Sequence, residues 1–235
     1  MKRGQIAVFL VAGILLLFLS AIGYYFLFKA PEPRAESVED SATQRIVDIC
    51  LQQVSEQAVK DLALQGGYFD VPSARIDRAT YRIPFYYEPG LKKVPPIETL
   101  ELEFSKYVDA KLAACADFTG MERQGYRIQA GKPKTSTTIA DQKISIETSY
   151  PITIELGPNK HKLEKFSHDF ESEYKLSHDI SQRLVEKAHQ EPMYVDLTFL
   201  NGLEQPVSYI PYKEDIGIYV VFGPNYLYMF GVKLK

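Results

Sequence analysis

The sequence predicts an α+β ectodomain behind an N-terminal transmembrane helix, the ectodomain being a helical hairpin followed by antiparallel β-sheet. Three observations lead there. An uncharged apolar run from Ile6 to Phe28 follows Lys2 and Arg3, two later stretches of helical spacing each carry one cysteine, and beyond Gly120 the chain turns to alternating, β-favouring segments.

Ser20 is the one polar residue between Ile6 and Phe28. As a helix the run is roughly 34 Å long, enough to cross a hydrocarbon core. Its basic flank prefers the cytoplasm, so the amino terminus is expected inside and everything after Phe28 outside, with Tyr24 and Tyr25 at the outer interface. Ala21 and Gly23 also offer the small-residue spacing of a signal-peptidase site. Cleavage there would leave Tyr24 to Phe28 as an apolar tip on a secreted protein, which argues for retention. The expected address is therefore the cell membrane, single-pass, with the lipid bilayer contacting residues 6–28.

Lys2, Arg3, Gly4 and Gln5, set before the apolar run, resemble the archaeal class III, prepilin-like signal. That resemblance implies a processing site between Gly4 and Gln5 that leaves the helix attached. Where such signals carry Ser or Thr and then Glu, this chain has Ala7 and Phe9, so the carboxylate associated with filament assembly is missing.

After the 1–28 anchor, residues 29–43 (KAPEPRAESVEDSAT) combine Pro31 and Pro33 with acidic and small residues, and read as a flexible tether. Roughly 190 residues remain, room for one sizeable domain or two small ones. They divide into a helical hairpin subdomain over 44–119 and a mainly β subdomain with one helix over 120–235. Without Lys2 and Arg3, 25 basic residues face 30 acidic ones, a net charge of −5. Such a surface argues against nucleic acid as a partner and against strong attraction to anionic headgroups. Asn159, Asn201 and Asn225 all lack the following residues of a glycosylation acceptor.

Ile46, Ile49, Cys50, Val54, Ala58 and Leu62 recur at helical spacing within Gln44–Gln65, and Gly66 with Gly67 supplies the stop. A Tyr- and Pro-rich segment of short extended pieces follows. Pro95 and Pro96 then precede a second helix with Ile97, Leu100, Phe104, Val108, Leu112 and Cys115 on its apolar stripe, ending near Asp117. Antiparallel packing of these helices, with legs of roughly 22 and 27 Å, brings Cys50 level with Cys115. A disulfide suits the exported compartment and would close a loop of about 65 residues, worth about 4 kcal/mol. The alternative is two thiols packed as small hydrophobes. No Cys-x-x-Cys supports a redox catalyst.

Strands are expected at Tyr126–Gln129, Thr135–Ala140 and Lys143–Leu156, with one more inside Lys162–Lys175. Asp179 with Gln182 reads as a capping pair opening a helix that runs to Gln190, before Pro192. Beyond Met193, DLTFL, IGIYVVF and YLYMFGVK read as strand cores.

Chemistry-bearing motifs are sparse. Ser-His-Asp occurs at 167–169 and again at 177–179, but consecutive residues of a strand point to alternate faces and form no relay among themselves. His161, His168, His178 and His189 lack the spacing of a metal-ligand pair, and Gly66-Gly67 closes a helix where a phosphate loop would open one. No catalytic residue, metal or cofactor is expected. The sixteen tyrosines suit sheet faces, and Tyr86 with Tyr87 forms a candidate recognition patch.

A cysteine on a first helix, LALQGGY at its end, PFYYEPG, a second helix closing on cysteine and a terminal YLYMFGVK together resemble a group of single-pass archaeal cell-envelope proteins. This resemblance implies an address and a fold class and brings no activity with it. The expected function is a membrane-anchored extracytoplasmic module, structural or contacting a protein partner in the envelope. Its alternatives are a prepilin-like subunit of a filament or secretion machine, and an envelope hydrolase gathering His168 or His178 with a carboxylate and a nucleophile.

Overall fold

The computed structural model of the chain describes residues 14–18, 20, 38–192 and 194–234. Met1–Ser37 and Val38–Lys235 are separate compact units. In the first, residues 14–18 and 20 are helical and exposed. The remainder of the 6–28 run, Gly4 and Gln5 lie outside the described residues, and among the described residues no helix is long and apolar enough to cross a membrane.

The second unit opens with α1 (Val38–Ala63), which starts six residues before the expected Gln44. Thr43, read as tether, is buried and its hydroxyl meets Met121 Sδ at 3.4 Å, so the chain there is packed. The helix ends in a Schellman closure: Gly67 N–H donates to Leu62 O at 2.7 Å and Gly66 N–H to Ala63 O at 3.1 Å. Both glycines have positive φ, 56° and 82°. A β-carbon on Gly67 would fall 2.3 Å from Leu100 Cδ2, so the position also permits close packing.

Three short strands follow, β1 (Arg75–Asp77), β2 (Arg82–Glu88) and β3 (Leu91–Lys92). They lead to α2 (Ile97–Cys115), which lies antiparallel to α1: Cys50 is disulfide-bonded to Cys115 with Cα atoms 5.7 Å apart, and Tyr107 donates to Asp61 at 2.6 Å further along. After the single turn α3 (Thr119–Glu122) come β4 (Arg127–Ala130), β5 (Lys134–Ile139), β6 (Lys143–Leu156) and β7 (Asn159–Glu171). The long β6 is central, with β4 and β5 along one side and β7 along the other, all antiparallel.

The chain then forms α4 (Tyr174–Gln190), α5 (Leu197–Asn201) and β8 (Val207–Lys213), β9 (Ile216–Phe222) and β10 (Leu227–Lys233). The other sheet runs β1-β2-β10-β9-β8, with β3 beside β2. It is mixed where pure antiparallel pairing was expected, because β10 returns to lie parallel to β2. Helix α4 starts at Tyr174, ahead of the anticipated cap: Tyr174, Ser177, His178 and Ser181 already form its buried stripe, and Asp179 pairs with Lys175 one turn back at 2.9 Å. DLTFL is helical where a strand was expected, since Asp196 Oδ1 caps it by accepting from Phe199 N at 2.9 Å. Strand β8, outside the expected strand cores, takes the sheet edge, a position that tolerates proline, and its register with β9 slips between Pro211 and Lys213.

Burial patterns separate the two sheets. The interiors of β9 and β10 are buried at every position, because apolar clusters cover both faces of that sheet. In β6 buried residues alternate strictly with more exposed ones, so one face rests on the helices and the other meets solvent. One core cluster joins α1, α2, α4 and the inner faces of both sheets, from Val47 and Leu112 through Ile146 to Leu184 and Phe230.

Candidate functional site

The open face of the four-stranded sheet carries a concavity of about 520 Å³, lined by Lys134, Ser136, Glu147, Ser149, Lys165 and Ser167 over Thr148 and Phe166. Strand register sets its pattern. Ser136, Glu147 and Ser167 form one row across β5, β6 and β7, Lys134, Ser149 and Lys165 the next, and Thr138, Ser145 and Asp169 the row on the other side of the first. Curvature comes from a bulge: the β6–β7 register slips between Ser149 and Ile152, and such an extra residue bends its strand. The bend is tied to the β4–β5 connection by Gly131 N–H donating to Pro151 O at 2.8 Å, and a β-carbon on Gly131 would press to 2.8 Å from Pro151 Cγ.

Charges on this face are only partly satisfied. Lys143 Nζ meets Asp169 Oδ2 at 2.7 Å and its hydrogen bond holds that carboxyl below the usual range. Among the described residues Lys134, Glu147 and Lys165 make no ion pair. Lys134 and Lys165 flank Ser149 at two strand spacings, about 10 Å between backbones. The face can therefore receive acidic and hydrogen-bonding groups, with hydroxyls to align them.

The Ser-His-Asp motifs do not assemble into a catalytic relay. His178 is buried, and its Nε2 lies 2.8 Å from Pro95 O; a carbonyl only accepts, so Nε2 carries the proton. Its Nδ1 has no hydrogen-bond partner and lies 3.7 Å from Asp179 Oδ1. Desolvation lowers the pKa of this ring despite that carboxylate. Ser177 Oγ donates to Gln205 Oε1 at 2.7 Å and Ser181 Oγ to the His178 carbonyl at 2.6 Å, so neither hydroxyl engages the imidazole. In the other copy His168 stacks on Phe170 with ring centroids 5.5 Å apart, while Ser167 and Asp169 occupy the opposite face of β7. Among the described residues no three His, Cys, Asp or Glu side chains gather as a metal site.

Tyr86 and Tyr87 present no recognition surface, contrary to the expectation. They are 0% and 2% exposed, because β2 lies between β1 and β10 inside its sheet. Tyr86 donates to Gly66 O, so Tyr228 must be the donor in the 2.8 Å contact between the two hydroxyls. Tyr87 meets His189 edge-on at 6.0 Å. Burial raises the pKa of Tyr86, Tyr174 and Tyr228 well above the ordinary value, so all three stay neutral in the core.

Cys50 and Cys115 are bonded, as the matching helix legs predicted. The polar sheet face was missed, although the odd positions Ser145, Glu147 and Ser149 of the alternating strand carried its signal. No family model, curated protein or solved structure matches the chain.

Proposed function

We propose that this protein is a membrane-anchored, extracytoplasmic module of the cell envelope that works by contacting another protein through the open face of its four-stranded sheet. The carrying observation is that concave face, where among the described residues Lys134, Glu147 and Lys165 stand without ion pairs beside the hydroxyls of Ser136, Ser149 and Ser167. The apolar run 6–28 behind Lys2 and Arg3 supports the anchor, and the Cys50–Cys115 bond suits an oxidising compartment. A partner surface bearing carboxylates and amides complements the face, and the contact is polar and hydrated.

A photo-crosslinking side chain at Ser149, in cells expressing the full chain, tests this reading. A discrete adduct is expected, lost with Lys134→Glu/Lys165→Glu, while external protease digests residues 44–235 in whole cells. Absence of any adduct, or protection of those residues until lysis, overturns it. The prepilin-like alternative rests on Lys2-Arg3-Gly4-Gln5. Intact mass decides it, since retention of Met1 to Gly4 rules out the peptidase.

A further inference from the structure

We propose that the outer edge of β7 pairs antiparallel with the same edge of a second copy of this chain, centred on Ser167. This goes beyond the proposed function, which concerns the face of the sheet and not its edge; the two share Lys165, and crosslinking through Ser167→Cys reads the edge alone.

Along one side β7 bonds to β6; along the other, among the described residues, it bonds to no strand. Among the described residues, no backbone bond from a turn or loop reaches residues 162–171 either. Although α1 packs against β7, the main-chain N–H and C=O groups of residues 162–171 have no strand partner on that side among the described residues, a template for another strand. Proline is the residue that most directly blocks such an edge, and β7 has none. The opposite side of this sheet differs: β5 is held by α2, with Glu101 accepting from Ile139 N at 2.8 Å and Ser105 bonding Thr137 at 3.0 Å.

Charge along β7 selects the occupant and its direction. Lys160, Lys162 and Lys165 lie in its first half, where Glu164 pairs with Lys162 at 2.8 Å, and Asp169 and Glu171 lie at its end. Parallel, in-register pairing sets like charges side by side, whereas antiparallel pairing crosses them. A two-fold axis normal to the sheet keeps equivalent faces together, so residues of equal parity must oppose each other. With Ser167 on the axis, Lys165 stands opposite Asp169 of the second copy, and Asp169 opposite its Lys165. All four side chains lie on the open face, where Lys165 has no ion pair in the single chain. On the other face Phe166 meets His168 of the second copy. The face-matched overlap runs from Lys165 to Asp169, ending where the register slips, and continues the sheet through both molecules.

Ser167→Cys in the full-length chain, in detergent micelles and in membranes, tests the arrangement. Opposed residues of an antiparallel pair have Cα atoms about 4.5–5.5 Å apart, within disulfide reach. Mild oxidation should convert most of this variant to a disulfide-linked dimer, and Ser149→Cys on the central strand should give several-fold less. Lys165→Glu added to Ser167→Cys should lower the yield several-fold, and Lys165→Glu/Asp169→Lys should restore it. Light scattering on the unsubstituted chain should show the mass of two copies. A single-copy mass at every concentration, equal crosslinking at Ser149 and Ser167, or indifference to Lys165→Glu overturns the proposal.

Discussion

At the scale of single residues, two glycines separate backbone strain from crowding. Gly67 and Gly90 both have positive φ, 82° and 75°, yet a β-carbon at Gly67 strikes Leu100 while one at Gly90 meets nothing within 4 Å. Gly90→Ala should therefore cost only the backbone term, about 1 kcal/mol. Gly67→Ala adds overpacking against a buried leucine and should cost about 3 kcal/mol. Urea midpoints of the two variants, at unchanged slope, check the difference. His178 gives a pH prediction at the same scale. Burial lowers its pKa in the folded chain, whereas the unfolded chain takes up a proton near the ordinary value of about 6.5. The unfolded state then binds more protons below that pH, so stability is fully present above it and is lost as pH falls toward the folded value. Between pH 7.5 and 5.5 the melting temperature of the natural chain should fall more than that of His178→Gln, and equal slopes would assign the pH response to other groups.

Among the elements, the helix pair is the unit most open to test. Cys50–Cys115 closes a loop of 65 residues, so Cys50→Ser/Cys115→Ser should lose about 4 kcal/mol in the loop-entropy description. A loss under about 1 kcal/mol, measured by urea unfolding, would mean that α1 and α2 stay docked in the unfolded ensemble and the bond constrains little. These helices and β6 were legible because their periods are clean: the apolar stripes at 46–62 and 97–115, and the alternation through 143–156, each state which side is buried. Where local signals competed, reading failed for identifiable reasons. Asp179 and Gln182 imitate a helix start, but Tyr174, Ser177 and His178 carry the buried stripe a turn and a half earlier, and polar residues on that stripe hid it. In DLTFL the β-branched and aromatic residues pointed to a strand, and one carboxylate accepting a backbone hydrogen bond outweighed them. The parallel β2–β10 pairing joins residues about 145 positions apart in the sequence, and no local pattern encodes such a contact. The same holds for the candidate site, since each strand shows its own polar side and only the register of three strands brings Lys134, Ser149 and Lys165 into a row.

For the whole molecule, the question is whether the helical and β portions of Val38–Lys235 are thermodynamically separate. Their core argues against it. Tyr86 on β2 donates to Gly66 at the end of α1 and receives from Tyr228 on β10, while Ile146 on β6 and Phe230 on β10 belong to one buried cluster with Leu112 and Leu184. Removing either sheet would expose the helix faces that serve the other, so partial unfolding lacks a favourable intermediate. The chain contains no tryptophan, which makes local reporters easy to place. Phe222→Trp marks one sheet at a position already 40% exposed, and Phe170→Trp marks the other at a partly buried one. Their fluorescence transitions in urea should share one midpoint, coincident with the loss of far-ultraviolet circular dichroism. Tyr86→Phe, which leaves Gly66 O and the Tyr228 hydroxyl without their partner, should shift both reporters together by about 1–3 kcal/mol. Two separated midpoints, or a shift confined to the Phe222→Trp reporter, would show that the sheets unfold independently and that the shared cluster contributes packing without coupling.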